Sequence, residues 1–176
     1  TYLGNQIDVQ GGGSDLIFPH HEMSAAQAES LTGIEPFARF YVHSGMVSWQ
    51  GHKMSKSRGN LVFVSTLRHD GVEPAAIRLA LLAHHYRSNW SWTPQGLEGA
   101  LARLDLWRAA TSMLCGLPAE SVLERVREVM SDDLKTPSAL DAIDNWARDT
   151  VHAGGSDSEA PGLVKDLCAS ILGVYL

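Results

Sequence analysis

The sequence has few of the features that mark an exported or membrane-bound protein. Only two of its 176 residues are cysteines, Cys115 and Cys168, and each lies within a helix-like pattern far from the other. We interpret both as reduced core thiols, because disulfides are rare in reducing compartments and unpaired cysteines pack as small apolar groups. No apolar run approaches the roughly 20 residues of a membrane span. The first residues form neither a basic start nor a cleavable apolar stretch. We therefore expect a soluble cytoplasmic protein with no membrane partner.

Neither half of the chain has a net positive charge. Residues 1–94 carry seven acidic and seven basic residues, so the net charge of −6 falls entirely in residues 95–176. A nucleic-acid surface needs clustered lysine and arginine to neutralise phosphates. The acidic second half therefore disfavours a nucleic-acid partner, while the 44% hydrophobic content is sufficient for a buried core.

The first part of the chain has the pattern of an α/β unit. Residues 7–9 alternate as a short strand and run into a glycine loop at residues 11–15. A helical pattern follows over residues 19–33 and ends at a glycine, the usual residue after a helix. Residues 39–49 are rich in aromatic and branched side chains, which predicts extended chain, and Gln50-Gly51 predicts a turn.

The remainder of the chain has helical spacing. Proline directly after Glu73, Thr93 and Thr136 marks three helix starts, and residues 116–118 and 154–158 predict breaks between later helices. The apolar residues predicted to share the buried faces are Ile77, Leu81, Leu82, Leu97, Leu101, Leu104, Trp107, Val122, Val126, Val129, Met130, Leu140, Ile143, Ala147, Val151, Leu163, Leu167, Ile171 and Leu172. Short connections without an internal repeat favour an antiparallel helical bundle.

Two lysines stand among small polar residues in the segment Gly51–Asn60, GHKMSKSRGN. Solvated charges in a mobile loop are the ordinary explanation for any two lysines. Here serines flank Lys53 and Lys56 and glycines bracket them, so ammonium groups and backbone amides are able to converge on a polyphosphate. Such cations stabilise a departing pyrophosphate more than the intact triphosphate.

The letters KMSKS in this segment resemble the signature loop of the class I aminoacyl-tRNA synthetase family, which forms aminoacyl adenylates from ATP. The resemblance implies that Lys53 and Lys56 hold the β- and γ-phosphates and act in catalysis. It also implies that Met54, Ser55 and Ser57 contact the nucleotide, and that ATP arrives with Mg²⁺.

The same resemblance implies a fold. We expect an α/β remnant of a Rossmann-like class I synthetase catalytic domain over residues 1–64, followed by an antiparallel α-helical bundle over residues 65–176. A complete site of this family also needs a HIGH segment and two cysteine zinc ligands. This sequence contains no HIGH segment, and its two cysteines are not flanked by the residues that surround the family's zinc ligands. We therefore expect the C-terminal part of a longer, monomeric enzyme, inactive without its N-terminal half.

The glycine run belongs to a longer segment, GGGSDLIFPHHE. Three glycines are commonly a flexible loop, but they also let a backbone approach a nucleotide closely, and a carboxylate accepts hydrogen bonds from ribose hydroxyls. The family resemblance implies that Gly13, Ser14 and Asp15 contact the adenylate. By the same matching, the backbone of Val47 touches adenine, although a strand residue buried for packing is an equally good interpretation on physics alone.

Adjacent histidines in this segment cannot both face one site, because successive helical residues diverge by about 100°. From the residues alone, a histidine pair at a helix start is more often a cap or packing contact than a metal ligand. The segment resembles cysteinyl-tRNA synthetases, in which the first histidine and a glutamate four residues later bind zinc. His20 takes the first position and implies a Zn²⁺ ligand. Ser24 takes the second, and a hydroxyl is a poor zinc ligand.

The serine at position 24 and the sequences of several later segments resemble the cysteine ligases of mycothiol biosynthesis. The resemblance covers essentially the whole chain and implies that L-cysteine is activated with ATP and transferred to the amine of glucosaminyl-inositol. Two alternatives stay open from the sequence. One is a cysteinyl-tRNA synthetase, which transfers cysteine to tRNA, and the other is a non-catalytic helical interaction module with a vestigial nucleotide loop.

Overall fold

The computed structural model describes residues 4–176, which divide into two compact units. The first unit contains the residues through Lys53 together with Tyr86–Ser91. The second contains Met54–His85 and Trp92–Leu176. The chain therefore passes out of the first unit within the lysine segment.

The first unit is built on two parallel strands. Strand β1 (Ile7–Gly13) pairs with β2 (Ala38–Ser44), in a register that places Gly12 opposite His43 and Gly13 opposite Ser44. Helix α1 (Glu22–Thr32) connects them and ends at a glycine with φ of 69°, as the sequence predicts. This connection is the strand–helix–strand arrangement that parallel pairing requires.

A small antiparallel sheet completes the first unit. Strand β3 (Val47–Trp49) turns through Gln50-Gly51 into β4 (His52–Lys53), and both turn residues have positive φ, 52° and 76°. Two such residues form the tight turn whose twist suits a hairpin. Strand β5 (Trp90–Trp92) lies on the other side of β3. The predicted extended chain and turn are both confirmed.

The second unit is helical. Proline is the first residue of two of its helices and the second residue of two others, where its missing N–H costs nothing. The hydroxyl of Thr93 also accepts a hydrogen bond from the amide of Gly96, at 3.0 Å, and so caps one of them. The helices are α2 (Val64–His69), α3 (Pro74–Leu82), α4 (Pro94–Thr111), α5 (Glu120–Ser131), α6 (Thr136–Ala153) and α7 (Ala160–Leu167), the last continuing into a wider turn at Cys168–Leu172.

A polar network lies beside the core of this unit. The carboxylate of Asp144 accepts hydrogen bonds from the indole N–H of Trp107 at 2.7 Å and from Nε of Arg103 at 2.9 Å. Trp107 is fully buried, so its N–H requires this partner. The other large side chains that are fully buried in the described residues are Leu79, Leu104, Leu140, Ile143, Leu172, Val126, Val164, Val174, Thr150 and Cys168.

Several predictions about local structure were wrong. The glycines at residues 11–13 end strand β1 rather than forming a loop. The helical pattern predicted from residue 19 is present, by contrast: residues 19–21 form a wider helical turn that continues into α1 at Glu22, while Phe18, which precedes the proline, is extended, with φ of −131° and ψ of 138°. Helix α2 and strand β5 were not predicted. Four residues predicted to be buried lie at the edges of their stripes and are 36–48% exposed: Leu81, Leu101, Val151 and Leu163.

The two cysteines are both free, as predicted, with Cys168 buried and Cys115 partly buried. Within residues 4–176, no helix combines the length and the apolar character that crossing a bilayer requires.

Asp144→Ala should lower the free energy of unfolding by about 3 kcal/mol, because a buried indole N–H and a partly buried guanidinium lose their carboxylate partner. Urea denaturation followed by circular dichroism measures this change. Glu128→Ala is the matched control, because its ion pair with Arg125 on α5 is exposed and should leave the midpoint unchanged. Equal midpoints for the two variants would show that the network contributes nothing.

Candidate nucleotide-binding site

A buried histidine fixes the segment that follows β1. His21 is only 4% exposed, and its Nδ1 lies 2.9 Å from Nε2 of His43 on the neighbouring strand. A β-carbon on Gly12 would lie 2.8 Å from Cε1 of His21, closer than real contacts allow. Glycine at this point of β1 is therefore what lets the imidazole pack beneath the strand.

The two adjacent histidines have different surroundings. Burial lowers the pKa of His21, and the neighbouring imidazoles of His43 and His20 lower it further, which disfavours the charged form of the ring. The side chain of His20 is exposed, and its backbone carbonyl accepts a hydrogen bond from the hydroxyl of Ser24 at 2.7 Å. His21 therefore has the structural role expected of one member of the pair.

The described part of the chain does not assemble a metal site by itself. Residues 4–176 contain no group of three or more His, Cys, Asp or Glu side chains placed to hold a metal ion. Burial raises the pKa of the Cys168 thiol to about 12, which disfavours the thiolate that a metal binds. The Ser24 hydroxyl is already bonded to the helix backbone. His20 therefore offers a single imidazole, and any zinc held there needs ligands from outside these residues.

Two of the predicted nucleotide contacts meet in the first unit. The Nζ atom of Lys53 lies 2.7 Å from Oδ2 of Asp15, which stands in a short turn, Ser14–Leu16, directly after β1. The hydrogen bond from Lys53 holds the pKa of the Asp15 carboxyl below its usual value. A β-carbon on Gly13 would lie 2.6 Å from Oδ1 of Asp15, so this glycine leaves room for the carboxylate.

The residue before Val47 is anchored twice to one segment of the same unit. The amide of Met46 donates to Oδ1 of Asn89 at 2.7 Å, and its carbonyl accepts from the amide of Trp90 at 3.1 Å. Val47 itself is half-buried at the start of β3. A β-carbon on Gly13 would lie 3.6 Å from the sulfur of Met46, so the predicted adenine and adenylate contacts are neighbours.

The rest of the lysine segment lies in the second unit and forms a compact turn. The amide of Ser55 donates to Oδ1 of Asn60 at 2.9 Å, and the amide of Gly59 donates to the carbonyl of Lys56 at 3.1 Å. Gly59 ends the turn with φ of 65°. Ser55 and Ser57 lie with their hydroxyls 3.3 Å apart, and the side chain of Lys56 is exposed.

Three residues of these arrangements were missed by sequence reasoning. His43 was one of several scattered histidines, and only the β1–β2 register shows that it stands opposite Gly12 and reaches His21. Asn89 lies far from β3 in the chain. Asn60 has a local signal that was available, since an asparagine closing a short polar turn commonly bonds a nearby backbone amide.

Comparison with known proteins shows which family has this sequence. Residues 1–102 match the family model of the tRNA synthetases class I (C) catalytic domain. The chain is 59% identical over 175 residues to an L-cysteine:1D-myo-inositol 2-amino-2-deoxy-alpha-D-glucopyranoside ligase of Streptomyces coelicolor, covering 99% of this chain and 43% of that protein. The protein of the same name in Mycobacterium ulcerans is 57% identical over 174 residues, which span 42% of its length.

Solved structures of two synthetases share the fold at low identity. A leucyl-tRNA synthetase of Agrobacterium radiobacter K84, in complex with tRNA and LeuAMS, has a TM-score of 0.66 at 18% identity, covering 94% of this chain and 25% of that one. A Mycobacterium tuberculosis methionyl-tRNA synthetase bound by methionyl-adenylate has a TM-score of 0.60 at 22% identity, covering 88% and 37%. The fold is class I synthetase-like, and the chain belongs to the family of the class I (C) tRNA synthetase catalytic domain.

Proposed function

We propose that this chain is the C-terminal part of a cytoplasmic ATP-dependent ligase of mycothiol biosynthesis. The enzyme activates L-cysteine as cysteinyl adenylate and transfers it to the amine of glucosaminyl-inositol, releasing AMP and pyrophosphate. The observation that carries the proposal is the 59% identity to a ligase of that name along 99% of this chain. The chain spans about 43% of that relative's length, so the N-terminal half of the same enzyme is its proposed partner.

The proposed architecture is a Rossmann-like remnant over residues 1–64 followed by a helical bundle over residues 65–176. The parallel β1–α1–β2 arrangement supports the first part. The start of helix α2 at Val64, after which helices predominate, supports the boundary. We propose that the whole enzyme is a monomer.

The proposed nucleotide contacts follow from the site's chemistry. Gly13, Ser14 and Asp15 would contact the ribose and α-phosphate side of the adenylate, where glycine permits close approach and a carboxylate accepts from hydroxyls. The backbone of Val47 would touch adenine. Support comes from the close approach of Gly13 to Met46, the neighbour of Val47, and from the position of Asp15 directly after β1.

The lysine segment would bind the triphosphate. We propose that Lys53 and Lys56 neutralise the β- and γ-phosphates, while Met54, Ser55 and Ser57 shape the loop around them. The turn closed by Asn60 supports this role, since it holds the two serine hydroxyls together. Mg²⁺ bound to ATP would share the neutralisation of charge.

The chemistry requires placement more than a reactive side chain. The cysteine carboxylate attacks the α-phosphorus, the bond to the β-phosphate oxygen breaks, and pyrophosphate leaves toward the lysines. The amine of the sugar then attacks the adenylate carbonyl, loses a proton and displaces AMP. No side chain of this protein forms a covalent intermediate, so the rate would come from orientation and from stabilising developing charge.

A zinc ion is proposed with His20 as one ligand and the other ligands from outside this chain. When bound, it would recognise the cysteine thiolate, because sulfur is a preferred zinc ligand. The hydroxyl of Ser24 donates to the backbone carbonyl of His20, so it is bonded to the backbone rather than offered to a metal.

The alternative is a cysteinyl-tRNA synthetase, with which the name of the matching family model is also consistent. It shares the activation step and differs in the acceptor. The acidic character of residues 95–176 weighs against a tRNA surface on the helical unit.

Lys56→Ala in the full-length enzyme should slow cysteine-dependent ATP–pyrophosphate exchange by roughly a hundredfold, because a cation facing the leaving group is lost. The KM for cysteine should change little. Lys165→Ala, which removes an exposed lysine of helix α7, is the matched control. Exchange at equal rates in the two variants would contradict the proposed role of Lys56.

The acceptor is tested by supplying the full-length enzyme with cysteine, ATP and either glucosaminyl-inositol or tRNA. We expect AMP release coupled to amide formation with the sugar and no aminoacylated tRNA. Charging of tRNA instead would replace the ligase assignment with the synthetase.

Calorimetry with ATP addresses the vestigial-loop interpretation, because a protein that gives no heat of binding has no functional nucleotide site.

A further inference from the structure

An ion pair joins the two proposed nucleotide-binding segments. Asp15 follows β1 and Lys53 ends β4, so residues 38 positions apart in the chain meet at 2.7 Å. Their side chains are 43% and 54% exposed, respectively, so both stand at the surface, where a ligand can reach them. Both belong to the first unit.

In the ion pair, the carboxylate and the ammonium bind each other, although each is proposed to bind part of a nucleotide. A carboxylate bound to an ammonium has fewer lone pairs free for ribose hydroxyls. An ammonium bound to a carboxylate is partly neutralised and attracts phosphate less strongly. The Lys53 side chain is a flexible four-carbon stem, whereas Asp15 is held in a short turn against Gly13, so the lysine is the partner able to move.

We propose that the Asp15–Lys53 ion pair is a specificity-determining device that favours an intact nucleoside triphosphate over its fragments. This inference rests on the proposed function. A ligand with both a ribose and a triphosphate replaces the pair completely, since its hydroxyls satisfy Asp15 and its phosphates satisfy Lys53. Adenosine or a free polyphosphate separates the same pair but compensates only one partner.

The proposal predicts opposite effects of the two substitutions on two half-ligands, adenosine and inorganic tripolyphosphate, each of which is one part of ATP. In the full-length protein, Asp15→Asn should bind inorganic tripolyphosphate about two- to fivefold more tightly, the range expected for releasing one partner of an exposed ion pair. Lys53→Met should bind adenosine more tightly by a similar factor, because Asp15 becomes available. Each variant should also lose affinity for the other half-ligand. Titration calorimetry measures all four changes.

A second exposed ion pair of the first unit provides the controls. Asp8 on β1 lies 3.5 Å from Arg39 on β2, and their side chains are 83% and 61% exposed. Asp8→Asn and Arg39→Met change the net charge by the same amounts as the test variants. They should leave both affinities unchanged, which separates release of a partner from general attraction of an anion.

Ionic strength gives an independent readout in the unmodified protein. Salt weakens exposed ion pairs, and adenosine is uncharged, so its affinity should rise with salt in the wild type and stay constant in Lys53→Met. If the wild type binds both half-ligands but no variant or salt change strengthens either, the ion pair has no such role and the proposed function stands. If the wild type binds neither half-ligand nor ATP, the proposed function fails as well.

Discussion

The missing side chain at Gly12 is the constraint on which the first unit depends. The imidazole of His21 occupies the space that a β-carbon would fill, and there it meets His43 on the opposite strand. This contact ties the end of the irregular segment after β1 back onto the sheet. The consequence is local but extensive, because the same segment carries Asp15 and His20. The segment that this buried ring attaches to the sheet therefore carries both a carboxylate and an exposed imidazole.

Local signals in the sequence were sufficient for most of the helical unit. The pairs Glu73-Pro74 and Thr93-Pro94 mark real helix starts, because a proline at the first helical position and a capping hydroxyl act within a few residues. The KMSKS letters likewise identified the family without any knowledge of the fold. Leu81 shows the limit of this approach, since spacing defines a stripe but not how much of it neighbouring helices cover.

Interactions between distant residues were not predictable in this way. A glycine run is typical of a flexible loop, yet Gly12 lies in a strand, where the ring of His21, nine residues later, occupies the space of a β-carbon. His43 gained meaning only from the strand register, and Asn89 only from its bond to the amide of Met46. Such contacts depend on which segments the fold brings together, and composition does not encode that. The Asp15–Lys53 pair belongs to the same class.

The hairpin between β3 and β4 limits where the chain can tolerate an insertion or a deletion. Ser48 pairs with Lys53 across the two-residue turn Gln50-Gly51. Successive strand residues alternate between faces, so inserting or deleting one residue in the turn would carry the lysine to the opposite side of the sheet. The number of residues between Val47 and Lys53 is therefore fixed by the geometry of the hairpin.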